Sequence, residues 1–126
     1  MQRQIFYHDT DAGGIVYYGN YLKYLEEART EYFEERGLGI KPFLSRGLSY
    51  VVRSCNIVYK SPARYGDIIQ ATAGVSKLTG AQIIFEQTVI NKATGQLLVE
   101  ATVALVCLDK DFKPQPIPAE FKEKLK

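Results

Sequence analysis

Two rhythms of apolar residues run through the chain. Tyr21, Tyr24, Leu25, Ala28, Tyr32 and Phe33 recur at steps of three and four, which marks one apolar face of a helix. Glu26, Glu27, Arg29, Glu31, Glu34 and Glu35 fill most of the positions between them, and Gly37 and Gly39 end the pattern. The spacing predicts one long helix, about 20 residues including its first turn. Outside it the rhythm is that of strands. Arg3 to Tyr7 is short and β-like, and the loop from His8 to Gly14 follows it. Leu48 to Tyr59 is long and β-rich, and Ser61-Pro62 closes it, because proline has no N–H for a strand ladder. Ile69, Ala71, Ala73 and Val75 alternate with polar neighbours. Thr79-Gly80 then turns the chain into a strand over Gln82 to Asn91, and Ala93-Thr94-Gly95 turns it again. Val99, Ala101, Val103, Leu105 and Cys107 alternate along a last strand that runs to Leu108. Pro114, Pro116 and Pro118 lead into a short amphipathic piece, Ala119 to Leu125.

The order is strand, one long helix, then a run of four antiparallel strands: an α+β chain. Such a sheet has a face to bury, and the helix is the only element large enough to cover it. A helix lying in the concavity of a curled antiparallel sheet is the economical packing. Ile68, Ile84, Ile90 and Val106 leave the sheet's other surface partly apolar, so a homodimer or homotetramer is expected to cover some of it.

Bulk properties narrow the chemistry. The 126 residues make one domain, residues 1–126. Sixteen basic against fourteen acidic residues leave a net charge of +2, which suits an anionic small molecule and falls short of a nucleic-acid footprint. No stretch approaches the roughly 20 apolar residues of a membrane span, and the first ten residues lack a signal-peptide core. The expected location is the cytoplasm, with no membrane insertion. Cys55 and Cys107 lie in apolar strand-like runs and are expected to be reduced and buried. His8 is the only histidine. A zinc site or a Cys/His nucleophilic pair is hard to build from that set, so no metal and no cofactor are expected. Carboxylates, backbone dipoles or tyrosines are left to do any chemistry.

Residues 7 to 29 concentrate those groups. Asp9 and Asp11 precede Gly13-Gly14 and then a helix start. A glycine pair lets backbone approach a ligand closely. The first amides of the following helix are unsatisfied donors with partial positive charge, suited to an anion or a developing oxyanion. A carboxylate near such a helix end, with room for a carbonyl between them, supplies two parts of an acyl-transfer site. The plain alternative is that Asp9 or Asp11 caps a turn or the helix.

This segment resembles the signature of the 4-hydroxybenzoyl-CoA thioesterase family, including its branch of short-chain acyl-CoA thioesterases associated with the Tol-Pal system. The residues that carry the resemblance are Tyr7, Asp9, Thr10, Asp11, Gly14, Ile15, Val16, Tyr17 and Asn20-Tyr21, continuing into Glu26 and Ala28-Arg29. A second stretch, Ser61-Pro62-Ala63-Arg64-Tyr65-Gly66-Asp67, resembles the family's turn between its second and third strands. The resemblance implies a hotdog fold and hydrolysis of an acyl-CoA, short-chain or aromatic. It implies that Asp11 is the catalytic carboxylate, attacking the thioester carbon or activating water. It also implies that the backbone N–H of Tyr18 polarises the thioester carbonyl. The Tol-Pal branch usually carries histidine where this chain has Tyr18, a departure that leaves a backbone role untouched. A subunit-interface active site follows from the same likeness.

Other residues carry lesser expectations. Gly14 closes the loop and Asn20 follows it; both are expected to bind substrate, and Asn20 to bond Asp11 or the backbone as well. Lys60 and Arg64 flank the Ser61-Pro62 turn and suit the phosphates of coenzyme A. His8 is expected to pack in the loop or bond Asp9, which itself shapes the loop. Glu26 and Arg29, three apart, are expected to pair. Tyr50, Val51 and Val52 are core residues or line an acyl pocket. Two other functions stand as alternatives: a non-catalytic acyl-thioester-binding module, and a hotdog dehydratase that would have to use His8.

Overall fold

A computed structural model describes residues 1–126. It has six strands and three α-helices: β1 (Gln2–Gln4), α1 (Asn20–Glu35), α2 (Ile40–Ser45), β2 (Ser49–Tyr59), β3 (Ile68–Ala71), β4 (Gly74–Leu78), β5 (Gln82–Asn91), β6 (Leu97–Leu108) and α3 (Ala119–Leu125). All strand pairs are antiparallel, in the order β1-β3-β5-β6-β2, and β4 pairs with β5 beside β3. This is the expected α+β hotdog arrangement, with the long helix held by the sheet.

The alternating residues of β6 explain why the helix packs there. Val99, Ala101, Val103, Leu105 and Cys107 are buried on one face, joined by Ile83, Phe85 and Val89 of β5 and by Ile69 and Ala71 of β3. Against them α1 sets Tyr21, Tyr24, Leu25, Ala28 and Phe33. Phe33 stacks on Tyr50 at 4.7 Å and meets Phe43 and Phe85 edge-on at 6.2 and 5.5 Å, a geometry aromatic rings favour. Phe121 of α3 reaches the same cluster, 4.9 Å from Phe43. The Tyr32 hydroxyl donates to the Leu125 carbonyl, and Arg46 pairs with Glu120, so the C-terminal helix is tied down at both ends.

Several expectations change in detail. The helix has 16 residues, because Tyr18 and Gly19 form a turn ahead of it rather than its first turn. The short α2 carried no periodic signal at six residues. The alternating stretch from Ile69 to Val75 is two strands broken at Thr72-Ala73. There the side chain of Gln87 donates to the Thr72 carbonyl, and the hydroxyls of Thr72 and Thr88 meet at 2.8 Å. Local side-chain bonds of this kind compete with a continuous ladder. Cys107 is buried as expected, but Cys55 is exposed, because β2 is an edge strand paired only with β6. Arg29 does not reach Glu26. Its guanidinium turns inward and donates to Gln87 at 3.0 Å, and Gln87 in turn donates to the Leu25 carbonyl. A buried arginine needs such a partner, and the inward rotamer gives up the surface pair to obtain it.

Phe33 is fully buried and joins α1 to the rings of Phe43, Tyr50 and Phe85. Phe33→Ala is expected to lower the unfolding free energy by about 3–5 kcal/mol in a urea titration, whereas a loss below about 1 kcal/mol would show that the cluster does not hold the helix down.

Candidate functional site

The loop before α1 is a small hairpin held by its own backbone. Thr10 and Val16 bridge in antiparallel fashion, the Asp11 N–H donates to the Ile15 carbonyl at 2.9 Å, and the Gly14 N–H donates back to the Asp11 carbonyl at 3.0 Å. One carboxylate oxygen of Asp11, Oδ1, accepts the Gly13 N–H at 2.8 Å, while Oδ2 makes no hydrogen bond within the chain. Gly14 has φ +78°, a left-handed conformation that costs a residue with a side chain roughly 1–2 kcal/mol. A Cβ there would meet nothing within 4 Å, so the space above it is open. The hairpin docks on the Ser61–Asp67 turn: Ile15 bridges to Arg64, and the Val16 N–H donates to the Ala63 carbonyl at 2.9 Å. The hydroxyl of Tyr21 accepts the Ala63 N–H at 3.1 Å, so helix, turn and hairpin share one anchor.

Tyr18 stands two residues before α1 and is 63% exposed. Its carbonyl accepts the Tyr21 N–H and the Tyr59 hydroxyl, each at 3.3 Å. The N–H groups of Tyr18 and Gly19 donate to no acceptor in the chain. Free amides at a helix entrance are the donors an oxyanion needs. Tyr18 also lines a cavity of about 250 Å³ with Ile15, Val16, Tyr21, Tyr59 and Lys60. Of the two expected phosphate-binding cations, Lys60 stands 4.0 Å from Glu100, and Arg64 has no acidic partner. A larger cavity, about 540 Å³, lies further along α1 between Arg29, Phe33, Phe43 and Tyr50 to Val52.

Of the two bonds expected of Asn20, the structure shows the one to backbone and not the one to Asp11. The Asn20 side-chain amide donates to the Asp9 carbonyl at 2.9 Å, because the first turn of α1 points that side chain back across the loop. Its amide is therefore committed to the fold rather than to a ligand. Asp9 differs from Asp11 in burial and in its charged partner: it is 4% exposed, and its carboxylate accepts the Phe6 N–H at 2.9 Å and Arg3 at 3.2 Å. Burial alone would raise its pKa. The Phe6 amide, Tyr24 and Arg3 outweigh that and hold it below the usual carboxylate range. His8 is exposed, with Nδ1 3.7 Å from Asp9. Arg3 reaches this loop from β1, six residues before Asp9, and no motif in the sequence marks that contact. Tyr59 is likewise delivered from the far end of β2. No three His, Cys, Asp or Glu side chains converge as a metal site would require.

A family model described as the thioesterase-like superfamily matches residues 7–125. An acyl-CoA thioester hydrolase of Escherichia coli is 34% identical over 125 residues, covering 95% of this chain and 92% of its own. An acyl-CoA thioesterase of Haemophilus influenzae is 36% identical over 121 residues, covering 94% and 88%. Among solved structures, an aspartate-to-asparagine mutant of 4-hydroxybenzoyl-CoA thioesterase, complexed with 4-hydroxybenzoyl-CoA, superposes with a TM-score of 0.92 at 25% identity, covering 100% of this chain and 96% of that one. A match that runs from Tyr7 to Leu125 takes in five of the six strands and the helix they hold, and the chain belongs to the thioesterase-like superfamily.

Proposed function

We propose that this protein is an acyl-CoA thioesterase: acyl-CoA and water give a carboxylic acid and free CoA. Two observations support the reading: an exposed carboxylate at Asp11 on the hairpin that runs into α1, and free backbone N–H groups at Tyr18 and Gly19 at the entrance of that helix. A thioester carbonyl set between them would have its oxygen on the Tyr18 amide and its carbon toward Asp11. As the carbonyl carbon is attacked, charge moves to the oxygen, where a preorganised amide stabilises it. Asp11 either attacks the carbon itself or takes a proton from the attacking water. In both cases the C–S bond breaks and the thiolate leaves. Thiolate is a willing leaving group, so strong acid help at sulfur is dispensable. The Oδ1 bond to Gly13 orients the Asp11 carboxylate and leaves Oδ2 for the reaction. The named acyl-CoA activity of the two relatives supports the substrate class. The open backbone at Gly14, Lys60 on the cavity rim and the unpaired Arg64 suit the pantetheine arm and phosphates of CoA.

A second copy of the chain completes this reading. β2 is an 11-residue edge strand whose outer edge is unpaired and whose Val51, Val52, Val58 and Tyr59 are exposed, a template for strand pairing. Antiparallel pairing of two such strands about their midpoint would set the Ser49–Val52 end of each beside the other's Asn56–Tyr59 end. The large cavity against residues 49–52 of one copy would then adjoin the smaller cavity at Tyr18 and Tyr59 of the other, giving an acyl pocket that continues from the reacting carbonyl. The apolar Ile68, Ile84, Ile90 and Val106 on the sheet's outer face offer a further surface for a tetramer.

Two results are expected. On a panel of short-chain, long-chain and aromatic acyl-CoAs, wild type releases thiol, and Asp11→Asn loses at least ~100-fold in kcat, about 2.7 kcal/mol of transition-state stabilisation. Equal rates in both proteins would remove Asp11 from the chemistry, and acyl-CoA binding without turnover in either would make the protein a binding module. In sedimentation, wild type runs as a dimer or larger, while Val52→Asp, a charge on the pairing edge, shifts it toward monomer and lowers activity. A monomeric wild type with full activity would contradict the composite pocket.

A further inference from the structure

Asp9 touches both halves of the site without facing it. Its carbonyl oxygen accepts two donors from the helix side, the Tyr17 N–H at 3.0 Å and the Asn20 side-chain amide at 2.9 Å. Tyr17 immediately precedes Tyr18, and Asn20 is the first residue of α1. Its carboxylate accepts two donors from the strand side, the Phe6 N–H and Arg3. Asp11 lies two residues on along the same hairpin. All four bonds meet in one residue that is nearly fully buried.

The surroundings make the carboxylate hard to replace. The Arg3 guanidinium stacks 4.9 Å above the ring of Tyr24 and reaches Glu27 at 3.5 Å. Its Nε is buried with no acceptor, and the Tyr24 hydroxyl, which burial keeps protonated, lies beside Asp9. Asp9 is thus the one buried anion among these groups. Removing its charge leaves a partly desolvated cation without its main counter-charge and frees the turn at Phe6.

We infer that Asp9 is the positioning residue of this site, setting the distance between the Asp11 carboxylate and the Tyr18 amide through its carbonyl and its carboxylate together. The inference rests on the thioesterase reading above and adds a residue that contacts neither the thioester nor CoA. Its consequence is specific. A positioning error of about 1 Å costs on the order of 100-fold in rate, while ligand contacts at Lys60, Arg64 and the cavity wall stay in place. The loss therefore falls on kcat and spares KM.

The test compares wild type, Asp9→Asn, Asn20→Ala and Asp11→Asn on one acyl-CoA, with thermal unfolding measured on each protein. Asp9→Asn is expected to lower kcat at least 10-fold with KM within about 3-fold, and Asn20→Ala to lower kcat in the same sense by about 3- to 10-fold. A folded Asp9→Asn protein with kcat within 2-fold of wild type, or with a raised KM and unchanged kcat, overturns the inference. If Asp9→Asn does not fold, Asn20→Ala decides, since it removes one bond to the Asp9 carbonyl and no buried charge. An unchanged kcat there overturns the inference as well. Failure of the underlying reading looks different: Asp11→Asn would keep wild-type activity, or wild type would have none, and the inference would fall with it.

Discussion

The burial of α1 against the concave face of the sheet is the constraint on which the rest of the molecule depends. Tyr21, Tyr24, Leu25, Ala28 and Phe33 can leave water together only where β5 and β6 present Ile83, Phe85, Val103 and Leu105. That packing fixes the axis of the helix, and so fixes where its first amides emerge. An oxyanion site built from backbone has no side chain of its own to adjust, so its position is as accurate as the helix that carries it. The core under α1 and the free N–H of Tyr18 are in this sense one structure.

The loop side of the site obeys a different physics. The hairpin from Thr10 to Val16 is too short to have a core of its own; backbone hydrogen bonds shape it, and only Val16 at its end reaches the main core. Two aspartates two residues apart divide the work according to their exposure. Asp9 is buried, ionised and bonded by Phe6 and Arg3, so it serves the fold. Asp11 is exposed with a free Oδ2, so it can serve a reaction. Hydrogen-bond donors hold Asp9 ionised in spite of its burial, which keeps a fixed negative charge beneath the loop throughout the neutral range.

Much of this was legible in the residue pattern. The period of α1 and the alternation in β5 and β6 predict the layers, because a pattern with one apolar face has few ways to hide it. The segment from Tyr7 to Arg29, by its likeness to a thioesterase signature, pointed to Asp11 and Tyr18; Tyr18 lines a cavity, and Asp11 is exposed on the hairpin that leads to it. What the pattern could not show is what depends on long-range pairing. Tyr59 meets Tyr18, 41 residues earlier in the chain, only because β2 ends there. The Glu26–Arg29 pair failed for the same reason: local spacing permits it, but Gln87 from another strand offers Arg29 a buried partner. Cys55 was misread as buried because an apolar strand at a sheet edge has the same alternation as one in the middle.

The central claim is geometric: the thioester carbonyl lies between the Asp11 carboxylate and the Tyr18 amide. It is tested most directly by a crystal structure of the Asp11→Asn protein with an intact acyl-CoA bound. The account predicts the carbonyl oxygen about 2.7–3.1 Å from the Tyr18 nitrogen and the carbonyl carbon about 3–3.5 Å from the residue 11 side chain. An acyl-CoA whose carbonyl lies elsewhere, with the Tyr18 amide facing solvent, would contradict it.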